Sequence, residues 1–166
     1  MATDIDHDNI KEQIVLILQA DSNLYDATGA DSKVRQINVE QPDDKDGLDT
    51  VFPSIYVKNA NPFETTKKIG SKLRGDAAMP AIVHEFRYDI VMVVEDKDAR
   101  TAINRLDDFK KLALQALEAD ARLKNGGAAL VDDSIYQGSR LFSERLNGQP
   151  VQGQIITLLC RKVTGS

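Results

Sequence analysis

The sequence predicts an α+β fold in two layers, a mostly antiparallel sheet with helices on one face and a long C-terminal hairpin. Three stretches carry that reading. Residues 82–95 alternate apolar and polar side chains, the period-two pattern of a strand covered on one side. Residues 99–118 instead repeat apolar side chains at helical spacing. Residues 139–163 form two strand-like runs either side of Asn147-Gly148, a turn dipeptide.

The elements follow in order. A first helix starts near Asp8 or Asn9 and runs to about Ala20, with Asn9 and Glu12 spaced as a capping box. Ile10, Ile14, Ile17 and Leu18 share one face, while Val15 and Leu16 fall off it. The second half of that helix is therefore apolar nearly all round, a pattern of deep burial or of a second contact surface. Asp26–Ser32 is a turn-rich loop, and Val34, Ile37 and Val39 mark a short strand over Lys33–Glu40. An acidic loop, Gln41–Thr50, precedes Pro53, which opens a strand over Ser54–Asn59. Residues 60–80 are the least regular stretch and read as an extended loop or arm at about 61–79.

In the third strand, Ile82–Glu95, His84, Phe86, Tyr88, Ile90, Met92 and Val94 point one way, and Glu85, Arg87, Asp89 and Glu95 the other. At about 3.3 Å per residue it would reach about 46 Å, against about 17–20 Å for a usual strand. Such a strand must bend, bulge or project beyond the body of the domain. Asp98, with Asp96 as the alternative, caps the second helix. Its core face is Ala99, Ile103, Leu106, Ala113, Leu114 and Leu117, flanked by Ala102, Phe109 and Ala116, with Leu112 on the wrong side. Asn125-Gly126-Gly127 is a stop signal after it.

Bulk properties narrow the function. A chain of 166 residues is most simply one domain. Its net charge of −5 argues against a general nucleic-acid coat. A single cysteine, Cys160, excludes an intrachain disulfide and fits intracellular synthesis. The acidic, polar start lacks a signal-peptide pattern, and its longest apolar run, Ile14–Leu18, is far short of a membrane span.

Several motifs approach chemistry without completing it. Aligning Gly47 with position 6 of an EF-hand loop places Asp44 and Asp46 correctly, but puts Pro42 and Pro53 at the two ends, where oxygen ligands are needed. Gly70 and Gly75 have P-loop spacing, yet Asp76 and Ala77 stand where Lys and Ser or Thr would hold phosphate and Mg²⁺. His7 lies in the N-terminal tail. His84 lies on an apolar strand face and reads as a packed or edge residue rather than a base. Cys160, beside Leu158 and Leu159, reads as a small apolar side chain. Two histidines and one cysteine cannot build a usual structural zinc site within one chain. The expectation is a non-enzymatic protein with no cofactor, no metal site and no catalytic residue.

The one local feature against the overall charge is the basic cluster Lys67, Lys68, Lys72 and Arg74. It reads as a solvated loop, or as an arm meeting the carboxylates of a neighbouring subunit or DNA phosphates. Its composition, with two glycines and few large apolar side chains, suits a segment that orders on a partner.

The order of elements resembles the tail terminator, or tail completion, proteins of long-tailed bacteriophages. The features that carry it are the opening helix, the proline-entered strand FPSIYV (52–57) and the strand HEFRYDIVMVV (84–94). The helix ARTAINRLDDFKKLALQAL (99–117) and a closing hairpin ending QGQIITLLCRKV (152–163) complete it. The resemblance covers most of the chain as a pattern of elements, without a diagnostic residue signature. It implies a structural virion protein of the tail or neck, made in the host cytoplasm and forming a homo-oligomeric, usually hexameric, ring. Such a ring caps the tail tube and joins it to the head-tail connector protein, with the packaged DNA nearby. Its implied partners are further copies of itself, the tail tube protein and the connector, and no membrane. Two alternatives stand beside it, another neck or connector protein, and a small α+β enzyme or ligand-binding module.

Overall fold

The computed structural model describes residues 5–29, 33–39, 51–69, 81–95, 98–125, 128–146 and 148–165. Among them are two helices, α1 (His7–Gln19) and α2 (Ala99–Ala119), and seven strands. These are β1 (Gln36–Val39), β2 (Ser54–Ile69), β3 (Ala81–Glu95), β4 (Lys124–Asn125), β5 (Ala128–Ala129), β6 (Asp133–Leu146) and β7 (Gln149–Gly165). Five strands form one sheet in the order β1-β2-β3-β7-β6, and β4 and β5 pair as a separate ribbon. Only the β1–β2 pair is parallel; the other three are antiparallel. The fold is α+β, with both helices packed on one face of the sheet.

That face holds the main core. Phe86, Tyr88, Ile90, Met92 and Val94 of β3 are buried there with Ile55 and Val57 of β2 and Ile156, Leu158 and Cys160 of β7. Above them lie Ile10, Ile14 and Leu18 of α1 and Ala102, Leu106, Phe109, Ala113 and Leu117 of α2. The spacing of the α2 residues is a continuous helical stripe. It is rotated from the face predicted from sequence. Ala99 is exposed, Ile103 and Leu114 are only partly buried, and Leu112 packs against the core rather than facing away from it. Ala102 and Phe109, read as flanks, are central.

Each helix begins on a carboxylate that accepts from the first turn. Asp98 caps α2 and takes the Arg100 N–H and the Thr101 hydroxyl. Asp6 caps α1 and accepts from the Asn9 N–H at 3.0 Å. The N-cap is therefore Asp6 rather than Asn9, and His7 belongs to the helix rather than to a tail. Of the two off-face residues of α1, Val15 is buried and Leu16 is 56% exposed.

The largest departure from the sequence reading lies in the segment read as irregular. Residues 61–69 continue β2, which pairs with β3 as far as Ile69 opposite Ala81. The register jumps between Asn59 and Glu64, so that Ala60–Phe63 bulge opposite Arg87. Pro62 lacks an N–H for the ladder and is tolerated at such a bulge. Of the proposed arm, 61–69 is thus sheet, and 70–79 lie outside the described residues. Lys33–Glu40 shortens to Gln36–Val39, with Val34 bridging Tyr25; Glu40 also lies outside.

Strand length exceeds helix length. The 15 residues of β3 span about 50 Å, whereas the 21 of α2 span about 32 Å. The overhang is at the end where β2, β3 and β7 finish side by side, Ile69 opposite Ala81 and Ala81 opposite Gly165. There Glu64, Thr65 and Thr66 are exposed and burial along β3 fades from Phe86 to Ile82. The sheet does reach out of the core.

Candidate subunit interface

The two outer strands of the sheet cover their neighbours unequally. β1 pairs with β2 only along Ser54–Val57. Among the described residues, the outer edge of β2 from Lys58 to Ile69 has no strand beside it. On the opposite side, β6 is an edge strand of 14 residues, paired among the described residues with β7 alone. Exposed edges of this length carry rows of backbone donors and acceptors that another strand can satisfy. Three successive antiparallel pairings separate β2 from β6 in space, so the two edge strands run in opposite directions.

The face away from the helices divides into two zones. Toward the β6–β7 turn it is apolar. Tyr56, Val91, Val93 and Val151 are buried there beneath Phe52, Phe142 and Ile155. Phe142 lies flat across Gly153, its cross-strand partner, and a Cβ at position 153 would fall within the ring. The absence of a side chain at Gly153 is what lets an aromatic ring close this patch without a helix above it. Toward the bulges the face turns ionic. Asp89 is only 7% exposed and accepts from the Thr157 hydroxyl at 2.8 Å. Glu85 lies 3.9 Å from Arg161, and Arg87 donates from Nε to Gln137 Oε1 at 3.2 Å.

On the helix side, the overhang brings polar groups next to the start of α1. His7 Nδ1 is 2.7 Å from the Tyr88 hydroxyl, and its ring packs edge-on against Phe63 and Phe86. Burial holds the His7 imidazole below its usual pKa and pushes the Tyr88 phenol up. The Tyr88 hydroxyl therefore stays protonated and shares a hydrogen bond with an imidazole that burial biases toward its neutral form. His84 Nε2 lies 2.9 Å from Thr164 Oγ1, and its Nδ1 lies 3.7 Å from Glu64.

Carboxylate, imidazole and hydroxyl thus come into line, an arrangement sequence reasoning missed because Glu64 and Thr164, at the extremes, are 100 positions apart. Nucleophilic chemistry requires the hydroxyl to face a substrate; Thr164 is 8% exposed and sits within the β7 ladder. His84 is a half-buried residue close to a sheet end, as its alternation pattern implied. Burial also pushes the Cys160 thiol up to about 12, leaving it a neutral core group. Among the described residues no cluster of His, Cys, Asp or Glu could hold a metal ion, and no helix is long and apolar enough to cross a membrane.

Of the four basic residues singled out by sequence, two lie within the described residues. Lys67 and Lys68 are in β2, paired with Val83 and Ile82, and Lys72 and Arg74 lie outside the described residues. The edges themselves had no sequence signal, because which strand is outermost depends on sheet order. No protein-family model matches the chain, and comparison with curated proteins finds no match.

Proposed function

We propose that this chain is the repeating subunit of a closed homo-oligomeric ring of six copies, the tail terminator of a long-tailed bacteriophage. The observation that carries the ring is the pair of edges, on opposite sides of one sheet, that are open among the described residues: β6 and the outer part of β2. A head-to-tail interface joins two different surfaces of identical subunits and closes when the rotation between them does. Because β6 runs antiparallel to β2 within one copy, β6 of one subunit meets β2 of the next in the antiparallel sense. The overhanging end of β2, β3 and β7 extends this contact beyond the helices.

The tail position rests on the resemblance in element order, and with it the partners: the tail tube protein, the head-tail connector and the packaged DNA. Lys67 and Lys68 at the end of β2, with Lys72 and Arg74 just beyond it in sequence, meet carboxylates of the next subunit or DNA phosphates. The ring is structural, with no catalytic role for His84 or Cys160.

An electron-microscopy reconstruction of the particle that carries this chain is the test. It is expected to show a closed ring at the head-proximal end of the tail tube; this chain outside any ring overturns the proposal. Changing Lys67, Lys68, Lys72 and Arg74 together to Ser is expected to weaken assembly and leave the melting temperature of the isolated subunit nearly unchanged.

A further inference from the structure

Between the two bulges the helix-free face opens into a cleft of ≈ 380 Å³. Asp89, Arg87 and Thr157 lie on the two central strands. Ala60–Pro62 form the wall from the β2 bulge, and Gln137, Gly138 and Arg140 the wall from β6, whose register shifts between Tyr136 and Gly138. A Cβ at Gly138 would meet nothing within 4 Å, so the wall is open there. One side of the Arg87 guanidinium is held by Gln137, while its buried Nη1 has no hydrogen-bond partner among the described residues. A buried guanidinium nitrogen without an acceptor is costly unless a ligand supplies one.

We propose that this cleft receives a carboxylate from the β6 edge of a second copy of this chain. Its charge selects the ligand. The cleft lining holds two arginines, Arg87 and Arg140, and one carboxylate, Asp89, which is already engaged by Thr157. One positive charge remains, which a single carboxylate neutralises through the two-pronged geometry that guanidinium favours. A polyanion would bring further negative charge against buried Asp89 and a chain of net charge −5.

Position selects the source. The cleft wall at Ala60–Pro62 belongs to the outer edge of β2, where the neighbouring β6 docks. Asp133 and Glu144 of β6 stand opposite Arg161 and Val151 of β7, residues on the same helix-free face, so a docked β6 presents both carboxylates on the cleft side. The inference rests on the ring reading and adds the contact that sets its register.

The test is a double-mutant cycle on the assembly constant of the full chain, followed by sedimentation equilibrium. The pairs are Arg87→Gln with Arg140→Gln in the cleft, and Asp133→Asn with Glu144→Asn on β6. Either pair alone is expected to weaken assembly about tenfold or more, with more salt having the same sense. Both pairs together should weaken it little further, because they remove one shared contact. Unchanged melting temperatures of the isolated subunits separate this from misfolding. Assembly that persists while the two effects simply add overturns the carboxylate contact and leaves the ring standing. A wild-type chain that stays monomeric at every concentration overturns both. Binding of a DNA oligonucleotide that disappears in the cleft variant assigns the site to phosphate and also overturns the inference.

Discussion

The two faces of β3 solve the same problem differently. On the helix side five alternate residues, Phe86 to Val94, are fully buried under α1 and α2. On the other side burial is achieved without a covering layer. Val91 and Val93 lie under Phe142 and Phe52, while Asp89 and Glu85 lie among Thr157, Arg87 and Arg161. The first face is a core that stabilises one chain. The second is half apolar patch and half ionic cleft.

The strongest way to break this contrast is to empty the helix-covered side. Phe86→Ala should cost about 3–5 kcal/mol and Leu106→Ala about 2–5 kcal/mol, read by urea unfolding. Val91→Ala on the other face should cost less than Phe86→Ala; equal losses would erase the distinction.

Gly153→Ala probes the closure by Phe142 and is expected to cost about 1–3 kcal/mol through overpacking. Adding Phe142→Ala should recover part of that loss, because the ring in the way is gone. A fully additive pair of losses would remove Phe142 as the cause.

A pH series addresses the helix side at the start of α1. The folded pKa of His7 lies below its unfolded value of about 6.5. The unfolded chain therefore binds the proton first, and the His7 contribution is fully present above about pH 6.5 and lost as pH falls from there through the folded pKa. His7→Gln should flatten this part of the unfolding midpoint's dependence between about pH 7.5 and about pH 5. A profile unchanged by the substitution would mean that His7 is as comfortable charged as neutral.

The smallest effect belongs to Leu16, exposed on α1 away from the core. Leu16→Ser should shift the stability of the isolated subunit by no more than about 0.5 kcal/mol. A larger loss would place that helix face inside the core after all.

The same contrast marks what the sequence made legible. The helix side was readable because its rules are local. Alternation from Phe86 to Val94 and the cap at Asp98 declare themselves within a few residues. The α2 stripe was displaced because Ile103, Leu112 and Leu114 are apolar wherever they point, so hydrophobicity alone does not resolve the centre of the face. The second half of β2 was hidden for a different reason. Four bulged residues around Pro62 interrupt the period, and Glu64, Thr65 and Thr66 in the exposed overhang have no core face to betray them. The ionic cleft was hidden too. Glu85, Arg87 and Asp89 read as solvent-facing on their own strand, and only the order β3-β7-β6 brings Thr157, Arg161 and Gln137 beside them. Sheet order is a tertiary fact, and so are the open edges that follow from it.

The claim that these edges are the contact surfaces is tested most directly by backbone amide hydrogen exchange, comparing dilute subunit with assembled oligomer. In the isolated subunit, alternate amides along 133–146 and along 58–69 point outward without a strand partner and should exchange fast. On assembly both sets are expected to slow together, while amides of β3, already paired on both sides, change little. Fast exchange persisting along both edges in the assembled oligomer would contradict the account.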